Sequence, residues 1–322
     1  MTRHPSLPRY RRLLAVAGAA LAVLAVGHAT PAAATPAAAP LDPLTMVSDD
    51  GTVTRAAPLR VWQRGAASGF AGTGLIGTDG AEHGIDPGGA PVTTPGLFSV
   101  IGTDGRQRQD PTTGSVPARS TVQLTYTTSS GSTYQFCSGW LFGPDTVITA
   151  GHCVYDTEND VWASSWGTLR AWPGRNGSTA PYGSCTVRSL HSVTGWTQDH
   201  NRNYDVGALK LNCTVGNTTG WLGVWWTTAN LVDTTVYVRG YPCDQTYGTQ
   251  WWDADVITST STNRLFYTVD TYNCQSGSPV YDFTTGDCTC ALAIHTTGST
   301  TANGGTRITQ AISDRLFYWR NL

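Results

Sequence analysis

The feature that most restricts the fold of this chain is a long series of short strand-like segments that begins near residue 99. The segments are rich in β-branched and aromatic residues, and Gly, Asn, Asp and Pro separate them, which is typical of antiparallel β-structure. The clearest are residues 121–126, 146–148, 204–211, 235–239, 265–269 and 290–295. Near the end of the chain, apolar residues from Ile308 to Trp319 recur every three or four positions. The sequence therefore predicts an all-β domain over residues 99–322, closed by a C-terminal helix.

Residues 1–34 have the composition of a secretion signal. Arginines precede an apolar run at residues 13–26, and Ala32, Ala33 and Ala34 fit an A-x-A cleavage site. The run is too short to span a bilayer comfortably, so a membrane anchor is the less favoured alternative. We expect an extracellular protein whose mature form does not associate with a membrane.

Residues 35–98 differ in composition from the β domain. They are rich in Pro, Gly, Ala and Thr and lack cysteine, and residues 69–96 are especially loop-like. Such a stretch buries little apolar surface, so we expect it to be flexible. Its position between an export signal and the β domain indicates a propeptide, with a plain linker as the alternative.

The eight cysteines all lie at or after residue 137. An exported chain meets an oxidising environment, so an even number of cysteines indicates disulfides. A zinc site is the rival interpretation, but the sequence lacks paired C-x-x-C spacing. We predict neither a metal site nor a cofactor.

Two motifs carry a histidine and an aspartate in positions that favour catalysis. The motif T-A-G-H-C places His152 at the end of an apolar strand and directly before Cys153. A disulfide from Cys153 to Cys137 would tie two strands together beside this histidine. In N-Y-D-V-G-A-L, Asp205 stands at the start of another apolar strand. A buried carboxylate needs a partner, and an imidazole is a suitable one; a surface aspartate is the alternative.

The third motif, C-Q-S-G-S-P-V, presents Ser276 in a turn. The chain order His152, Asp205, Ser276 is that of the chymotrypsin-type triad. In that mechanism His152 takes the proton of Ser276, and Asp205 holds the imidazole tautomer and stabilises the imidazolium. The backbone N–H groups of Ser276 and of Cys274, two residues earlier, would form the oxyanion hole.

Together these motifs resemble the chymotrypsin-fold serine peptidases, and further matches narrow the resemblance to the bacterial glutamyl endopeptidases. The further matches are SVIGTDGR at 99–106, PGRNG at 173–177, GYP at 240–242, DTY at 270–272, AIHTTG at 293–298 and GTRIT at 305–309. The resemblance covers nearly all of residues 99–322 and excludes the propeptide. It implies two six-stranded antiparallel β-barrels and a secreted serine endopeptidase, made as a zymogen, that cleaves after Glu, with Asp as a second candidate.

The resemblance also implies which residues bind the side chain of the substrate. A histidine, a threonine and the mature α-amino group would bind the substrate carboxylate, and these fall on His295, Thr271 and Ser99 or a neighbour of Ser99. A histidine gains a proton more easily beside a carboxylate. His295 is followed by an extended edge that includes Thr296 and Gly298, to which substrate backbone can pair. A core histidine is the alternative for His295.

Cys274 departs from the family pattern, because the family usually has glycine there. Glycine tolerates positive φ, whereas another residue would be strained by roughly 1–3 kcal/mol. The resemblance favours a Cys243–Cys274 disulfide that holds this turn. That choice leaves Cys185 with Cys213 and Cys288 with Cys290, while pairing of Cys274 with Cys288 or Cys290 is the alternative.

Glutamate occurs only at Glu82 and Glu158. A Glu-cleaving enzyme would digest itself at exposed glutamates, but lysine is equally scarce after residue 99, where Lys210 stands alone, so compositional bias explains the depletion as well. One hypothesis follows, in which Glu82 is a self-processing site in the propeptide.

The expected partners are protein or peptide substrates. The net charge is −2 and basic runs are absent, so nucleic-acid binding has no electrostatic basis. We expect a monomer. Two alternative functions remain, a peptidase of the same fold with another specificity and an inactive homologue that serves as a binding module.

Overall fold

A computed structural model of the protein describes residues 40–55, 66–74, 79–83, 88–91, 100–112, 114–283 and 288–322. The predicted secretion signal at residues 1–34 and the predicted mature terminus at Ser99 lie outside the described residues. The described residues from Leu41 onward belong to one compact unit. No helix within these ranges is long and apolar enough to cross a membrane.

The strands of the described ranges are β1 Met46–Ser48, β2 Val53–Thr54, β3 Ala66–Ala67, β4 Ala90–Pro91, β5 Gln107–Gln109, β6 Thr121–Thr127, β7 Thr133–Leu141, β8 Thr146–Thr149, β9 Tyr155–Asp156, β10 Val161–Trp162, β11 Thr168–Pro173, β12 Cys185–Val193, β13 Gly207–Leu211, β14 Gly223–Trp225, β15 Thr235–Gly240, β16 Gln250–Thr260, β17 Arg264–Tyr267, β18 Pro279–Asp282, β19 Cys290–Thr297 and β20 Asn303–Arg307. The α-helices are α1 Thr194–Thr197, α2 Gly216–Thr219 and α3 Gln310–Arg320. Short 3₁₀ turns cover Gly151–Cys153, Ala163–Ser165 and Arg202–Tyr204.

The first barrel is a closed ring of six antiparallel strands in the order β6, β7, β8, β13, β12 and β11, with β11 returning to β6. Its interior is apolar, and Leu124, Trp140, Leu141 and Ile148 are fully buried. Short strands rich in β-branched and aromatic residues supply this core.

The second barrel also consists of six antiparallel strands, in the order β18, β15, β16, β17, β20 and β19. Pairing of β18 with β19 closes it. Val236, Val238, Ile257, Leu265 and Tyr267 are fully buried in it. The predicted pair of closed six-stranded antiparallel barrels is therefore confirmed.

The predicted C-terminal helix is α3, and it packs against the first barrel. Thr309 caps it by accepting a hydrogen bond from the Ile312 N–H at 3.2 Å. Leu316 and Trp319 are fully buried, and the ring of Phe317 meets that of Phe142 at 5.1 Å. The helix contacts β8 and β13, so the end of the chain braces the barrel that carries His152.

Parts of the predicted propeptide pair with the barrels. Strand β1 adds to β12, and Met46 is only 2 % exposed. Within residues 69–96, Phe70 pairs with Trp221 and Glu82 with Ser184 through backbone hydrogen bonds. The described parts of the predicted propeptide are therefore paired with the barrels, and the flexibility of residues 69–96 stays a prediction. Cleavage at the boundary between residues 98 and 99 stays a prediction.

The four disulfides are those that the sequence favoured. Cys137 joins Cys153, Cys185 joins Cys213, Cys243 joins Cys274, and Cys288 joins Cys290. The alternative pairing of Cys274 with Cys288 or Cys290 is excluded.

Candidate active site

His152 is fixed by the turn in which it lies. Strand β8 ends at Thr149, and the 3₁₀ turn Gly151–Cys153 follows. A Cβ atom at Gly151 would lie 2.8 Å from the Trp196 ring and 2.9 Å from the Val206 nitrogen, so only glycine fits before the histidine. The Cys137–Cys153 disulfide ties the other side of the turn to β7. The backbone beneath His152 is therefore held from both sides.

Asp205 contacts His152 through both carboxylate oxygens. Oδ2 lies 2.9 Å from His152 Nδ1, and Oδ1 accepts a hydrogen bond from the His152 backbone N–H at 2.9 Å. Asp205 is 2 % exposed. It follows the 3₁₀ turn Arg202–Tyr204, so the strand predicted from residue 204 begins only at Gly207. The carboxylate holds the proton on Nδ1 and leaves Nε2 as an acceptor.

The pKa of His152 is raised above its ordinary value. Burial lowers it, but the charge of Asp205 and its hydrogen bond to the ring together outweigh burial, and the more distant Arg202 and Arg264 oppose Asp205 weakly. Asp205 thus stabilises the imidazolium, which is the state that a general base reaches after taking a proton.

Ser276 lies in a loop that is hydrogen-bonded to both barrels. Its carbonyl accepts from the Ser138 N–H of β7 at 2.8 Å, and the Gly277 N–H donates to the His295 carbonyl of β19 at 2.7 Å. Gly277 has a φ of 87°, and a Cβ atom there would collide with Thr149 and Ser138. Glycine after the serine is therefore required both by conformation and by the close approach of the two barrels.

Cys274 has the positive φ expected at the glycine position of the family pattern, with a value of 70°. The Cys243–Cys274 disulfide and a 2.8 Å hydrogen bond from Ser138 Oγ to the Cys274 carbonyl hold it there. Among the described residues, no acceptor takes the backbone N–H of Cys274 or of Ser276. Both predicted oxyanion donors are thus available.

Ser276 and His152 line the same cavity of about 520 Å³. Within the described ranges the structure contains no direct hydrogen bond between the two side chains. Catalytic hydrogen bonds are often long in enzymes without substrate and shorten when substrate binds. The structure therefore brings all three predicted triad residues to one site, with the Asp205–His152 half already joined.

A second cavity, of about 200 Å³, opens on the other side of Ser276. His295, Thr296 and Gly298, all predicted from the sequence, line it, and Thr297, Tyr272, Asn273 and Arg202 complete its wall. Thr271 is fully buried beside this wall but does not line the cavity, and its Oγ1 has no hydrogen-bond partner among the described residues. Ser99 lies outside the described residues.

His295 is neutral in this environment. Burial is the main cause, with repulsion from His152 and Arg264 added, and these lower the pKa of His295 to about 3. Its Nδ1 lies 2.7 Å from the Tyr267 hydroxyl, so Nε2 is left to face a ligand. A buried neutral imidazole of this kind can donate a hydrogen bond to an anion without carrying a charge of its own.

Two arginines beside this cavity were not identified from the sequence. Arg264 is 7 % exposed and donates to the hydroxyls of Thr296 and Thr297 at 2.9 and 2.8 Å. It forms no ion pair within the described ranges, and burial lowers its pKa. Arg202 lines the cavity from an exposed position. Arg202 lies close to Asp205 in the sequence, which is a weak indication that it belongs to the site. No sequence pattern indicates Arg264, because only strand pairing brings it to this cavity.

Comparisons with known proteins agree with the fold. Residues 106–307 match the family model described as trypsin. The "Glutamyl endopeptidase" of Bacillus licheniformis is 42% identical over 260 residues, which cover 78% of each chain. A solved structure entitled "Structure of Glu endopeptidase in complex with MPD" superposes with a TM-score of 0.61 at 31% identity, covering 69% of this chain and 100% of that one.

A relative from Bacillus subtilis has a different name. It is called "Extracellular metalloprotease", and it is 47% identical over 224 residues, which cover 69% of this chain and 70% of its own. The present sequence has no H-E-x-x-H motif. In the described part of the chain, the group of possible metal ligands is Cys137, His152 and Cys153, and both sulfurs are in a disulfide. Disulfide sulfurs are not thiolate ligands, so these residues do not fit a metal centre.

The trypsin match spans more than half of the chain, and the described residues form the two closed barrels. This chain belongs to the trypsin family of chymotrypsin-fold serine peptidases and is a serine endopeptidase.

Proposed function

We propose that the protein is a secreted endopeptidase, made as a zymogen, that hydrolyses peptide bonds after glutamate through His152, Asp205 and Ser276. Aspartate is the second candidate at the same position. The observation that carries this proposal is the small cavity beside Ser276, because its wall combines hydrogen-bond donors with one cation, Arg202, and, within the described ranges, contains no acidic side chain.

The electrostatics of this cavity favour a carboxylate. His295 is neutral and offers one ring nitrogen, since Tyr267 occupies the other. Arg264 lies behind Thr296 and Thr297 as a buried cation whose hydrogen-bond partners are neutral oxygens. A buried charge without a counter-ion is costly, so an entering substrate carboxylate would supply the missing negative charge. The buried Thr271 hydroxyl without a partner adds a further possible donor.

The reaction follows from the positions of the three side chains. His152 takes the proton of Ser276, and Oγ attacks the main-chain carbonyl carbon of the bound glutamate. The N–H groups of Cys274 and Ser276 bind the oxyanion. The C–N bond then breaks, the acyl group stays on Oγ, and the amine leaves with the proton from His152. In the second half water attacks the acyl carbon while His152 takes its proton. The C–Oγ bond then breaks, the acid product leaves, and His152 returns the proton to Ser276 Oγ.

The names of the relatives support the same specificity. The Bacillus licheniformis protein is named a glutamyl endopeptidase, and so are relatives from Staphylococcus aureus, which are 26% identical over 153 residues. The predicted signal at residues 1–34 and propeptide at residues 35–98 support export as a zymogen. The amino group released at Ser99 or a neighbour would add positive charge to the pocket.

The decisive experiment is digestion of a protein of known sequence by the purified mature enzyme, with the cut sites mapped by mass spectrometry. We expect cuts after Glu, fewer after Asp, and loss of this selectivity in His295→Ala. Cuts spread over other residue types would overturn the specificity. Labelling of Ser276 by a fluorophosphonate distinguishes an enzyme from an inactive binding module, since only an activated serine reacts.

A further inference from the structure

Ser276 lies between two cavities, and only the smaller one is needed to bind a glutamate. The larger cavity, of about 520 Å³, begins at Ser276 and His152 and continues past the Cys137–Cys153 disulfide. If the residue before the cleaved bond occupies the His295 pocket, the chain after that bond must leave Ser276 towards the larger cavity. This step rests on the proposed function.

Three aromatic side chains form the far wall of the larger cavity. Tyr126, Phe136 and Trp166 line it, and each is partly exposed. Their rings contact one another: Phe136 meets Trp166 edge-on at 5.5 Å, and Tyr126 lies 5.7 Å from Trp166. A preformed aromatic surface loses little side-chain entropy when a ligand binds, and it favours apolar and aromatic partners.

The lining of the same cavity also includes two acidic residues. Asp156 and Glu158 both line it, and Glu158 is exposed. Burial alone would raise the pKa of Asp156. The hydrogen bonds that its carboxylate accepts from Asn159 and from the Glu158 backbone together exceed this effect, so the pKa is lowered. Two negative charges in the lining oppose an acidic side chain, so this cavity differs in sign from the His295 pocket.

The strand beside the aromatic wall already accepts an extended segment. Tyr134 and Gln135 of β7, directly before Phe136, pair in parallel with Ala90–Pro91 from the predicted propeptide. Removal of the propeptide would expose this edge. An extended peptide could then pair with the strand while its side chains reach the aromatic wall.

We propose that the larger cavity is a leaving-group subsite that selects a large apolar or aromatic side chain at one or both of the first two positions after the cleaved bond, and that it disfavours Asp and Glu there. The enzyme would thus recognise side chains on both sides of the cleaved bond, a carboxylate before it and an apolar side chain after it.

The test uses quenched fluorescent peptides with Glu fixed before the bond and Phe, Leu, Ala, Lys or Glu at the two positions after it. We expect kcat/KM to be about 10-fold higher for Phe or Leu than for Ala, in the range that apolar pockets give, and lowest for Glu. Covalent labelling of Ser276 by a fluorophosphonate, which has no peptide leaving group, normalises each enzyme preparation for folded active sites.

The variants Trp166→Ala and Trp166→Phe assign the preference to the wall. After normalisation, Trp166→Ala should reduce the Phe-over-Ala ratio towards one, whereas Trp166→Phe should retain most of it. Trp162→Ala is the matched control, because Trp162 packs on Tyr155 and does not line the cavity. Glu158→Gln should raise the rate for peptides with Glu after the bond.

The outcomes separate this proposal from the proposed function. Efficient cleavage after Glu with equal rates across the leaving-group series would overturn the subsite and leave the specificity intact. An unchanged Phe-over-Ala ratio of kcat/KM in Trp166→Ala would also overturn the subsite and leave the specificity for Glu intact. Failure to cleave any Glu peptide, with cleavage of other peptides, would overturn the proposed function itself.

Discussion

One carboxylate, that of Asp205, fixes both the ring and the backbone of His152, with 2.9 Å from Oδ2 to Nδ1 and 2.9 Å from Oδ1 to the amide nitrogen. The double contact sets the tautomer and the ring orientation at once. Because Asp205 is buried, its charge acts at short range with little screening by solvent.

Asp205→Asn should therefore reduce kcat severely while the enzyme remains folded. The amide keeps the size of the carboxylate, but it loses the charge and favours the wrong imidazole tautomer. We expect a loss of about 10⁴-fold, as in triads of this geometry. Steady-state hydrolysis of a glutamyl anilide measures the effect, and thermal melting checks the fold. A loss smaller than 10-fold would contradict the role given to Asp205.

The pH profile of kcat/KM reports the same contact. His152 acts as a base only when unprotonated, and its pKa is raised by Asp205 against the effect of burial. The acid limb of the profile should therefore have its midpoint above the ordinary histidine value of about 6.5. In the residual activity of Asp205→Asn the midpoint should move to lower pH. A wild-type midpoint below 6.5 would be incompatible with this assignment.

Local patterns predicted an all-β domain, the resemblance implied the two barrels, and both hold in the structure. The motifs that predicted the triad are also local. β-branched and aromatic residues in segments such as residues 121–126 predict strands. The motifs around His152 and Ser276 require glycine at Gly151 and Gly277, where no side chain fits. The Cys243–Cys274 pairing followed from the resemblance. Each motif spans only a few consecutive residues, and the strand-like segments repeat along the chain.

The sequence could not predict features that arise from distant pairing. Arg264 reaches the specificity pocket only because β17 pairs with β20, which in turn pairs with β19. The pairing of β1 with β12, of Phe70 with Trp221 and of Glu82 with Ser184 rests on backbone hydrogen bonds, which have no signature in side-chain composition. The 3₁₀ turn before Asp205 was missed because its apolar neighbours continue the strand pattern.

The positive φ of Cys274 gives a matched pair of variants. In Cys243→Ala/Cys274→Gly the turn keeps a residue suited to a φ of 70°, whereas Cys243→Ala/Cys274→Ala places a Cβ atom there without the disulfide. We expect the glycine variant to be more stable by about 1–3 kcal/mol and to retain more kcat, since the Cys274 N–H must face the oxyanion. Urea unfolding and anilide kinetics measure the two effects. Equal stability and equal kcat would show that the disulfide alone sets this conformation.

Arg264 should contribute to the choice of Glu over Gln. Its charge lies behind the Thr296 and Thr297 hydroxyls, so Arg264→Met should lower the ratio of kcat/KM for matched Glu and Gln peptides about 10-fold, in line with a loss of 1.4 kcal/mol. Arg264→Lys keeps the charge and should restore much of the ratio. A purely structural role predicts equal losses for both peptides, and that result would remove Arg264 from substrate recognition.

Asp270 should position the start of the mature chain. Its two carboxylate oxygens accept hydrogen bonds from the N–H groups of Ile101 and Gly105 at 2.7 and 2.8 Å, next to the predicted terminus at Ser99. In Asp270→Asn one N–H would face an amide donor, and a lost buried hydrogen bond costs about 1–3 kcal/mol. If the α-amino group of Ser99 or a neighbour binds the substrate carboxylate, the variant should raise KM for Glu peptides more than for Gln peptides. Asp255→Asn, an exposed carboxylate on β16, controls for the charge change. Equal changes in KM for both peptides would mean that Asp270 anchors the segment without presenting its amino group to the pocket.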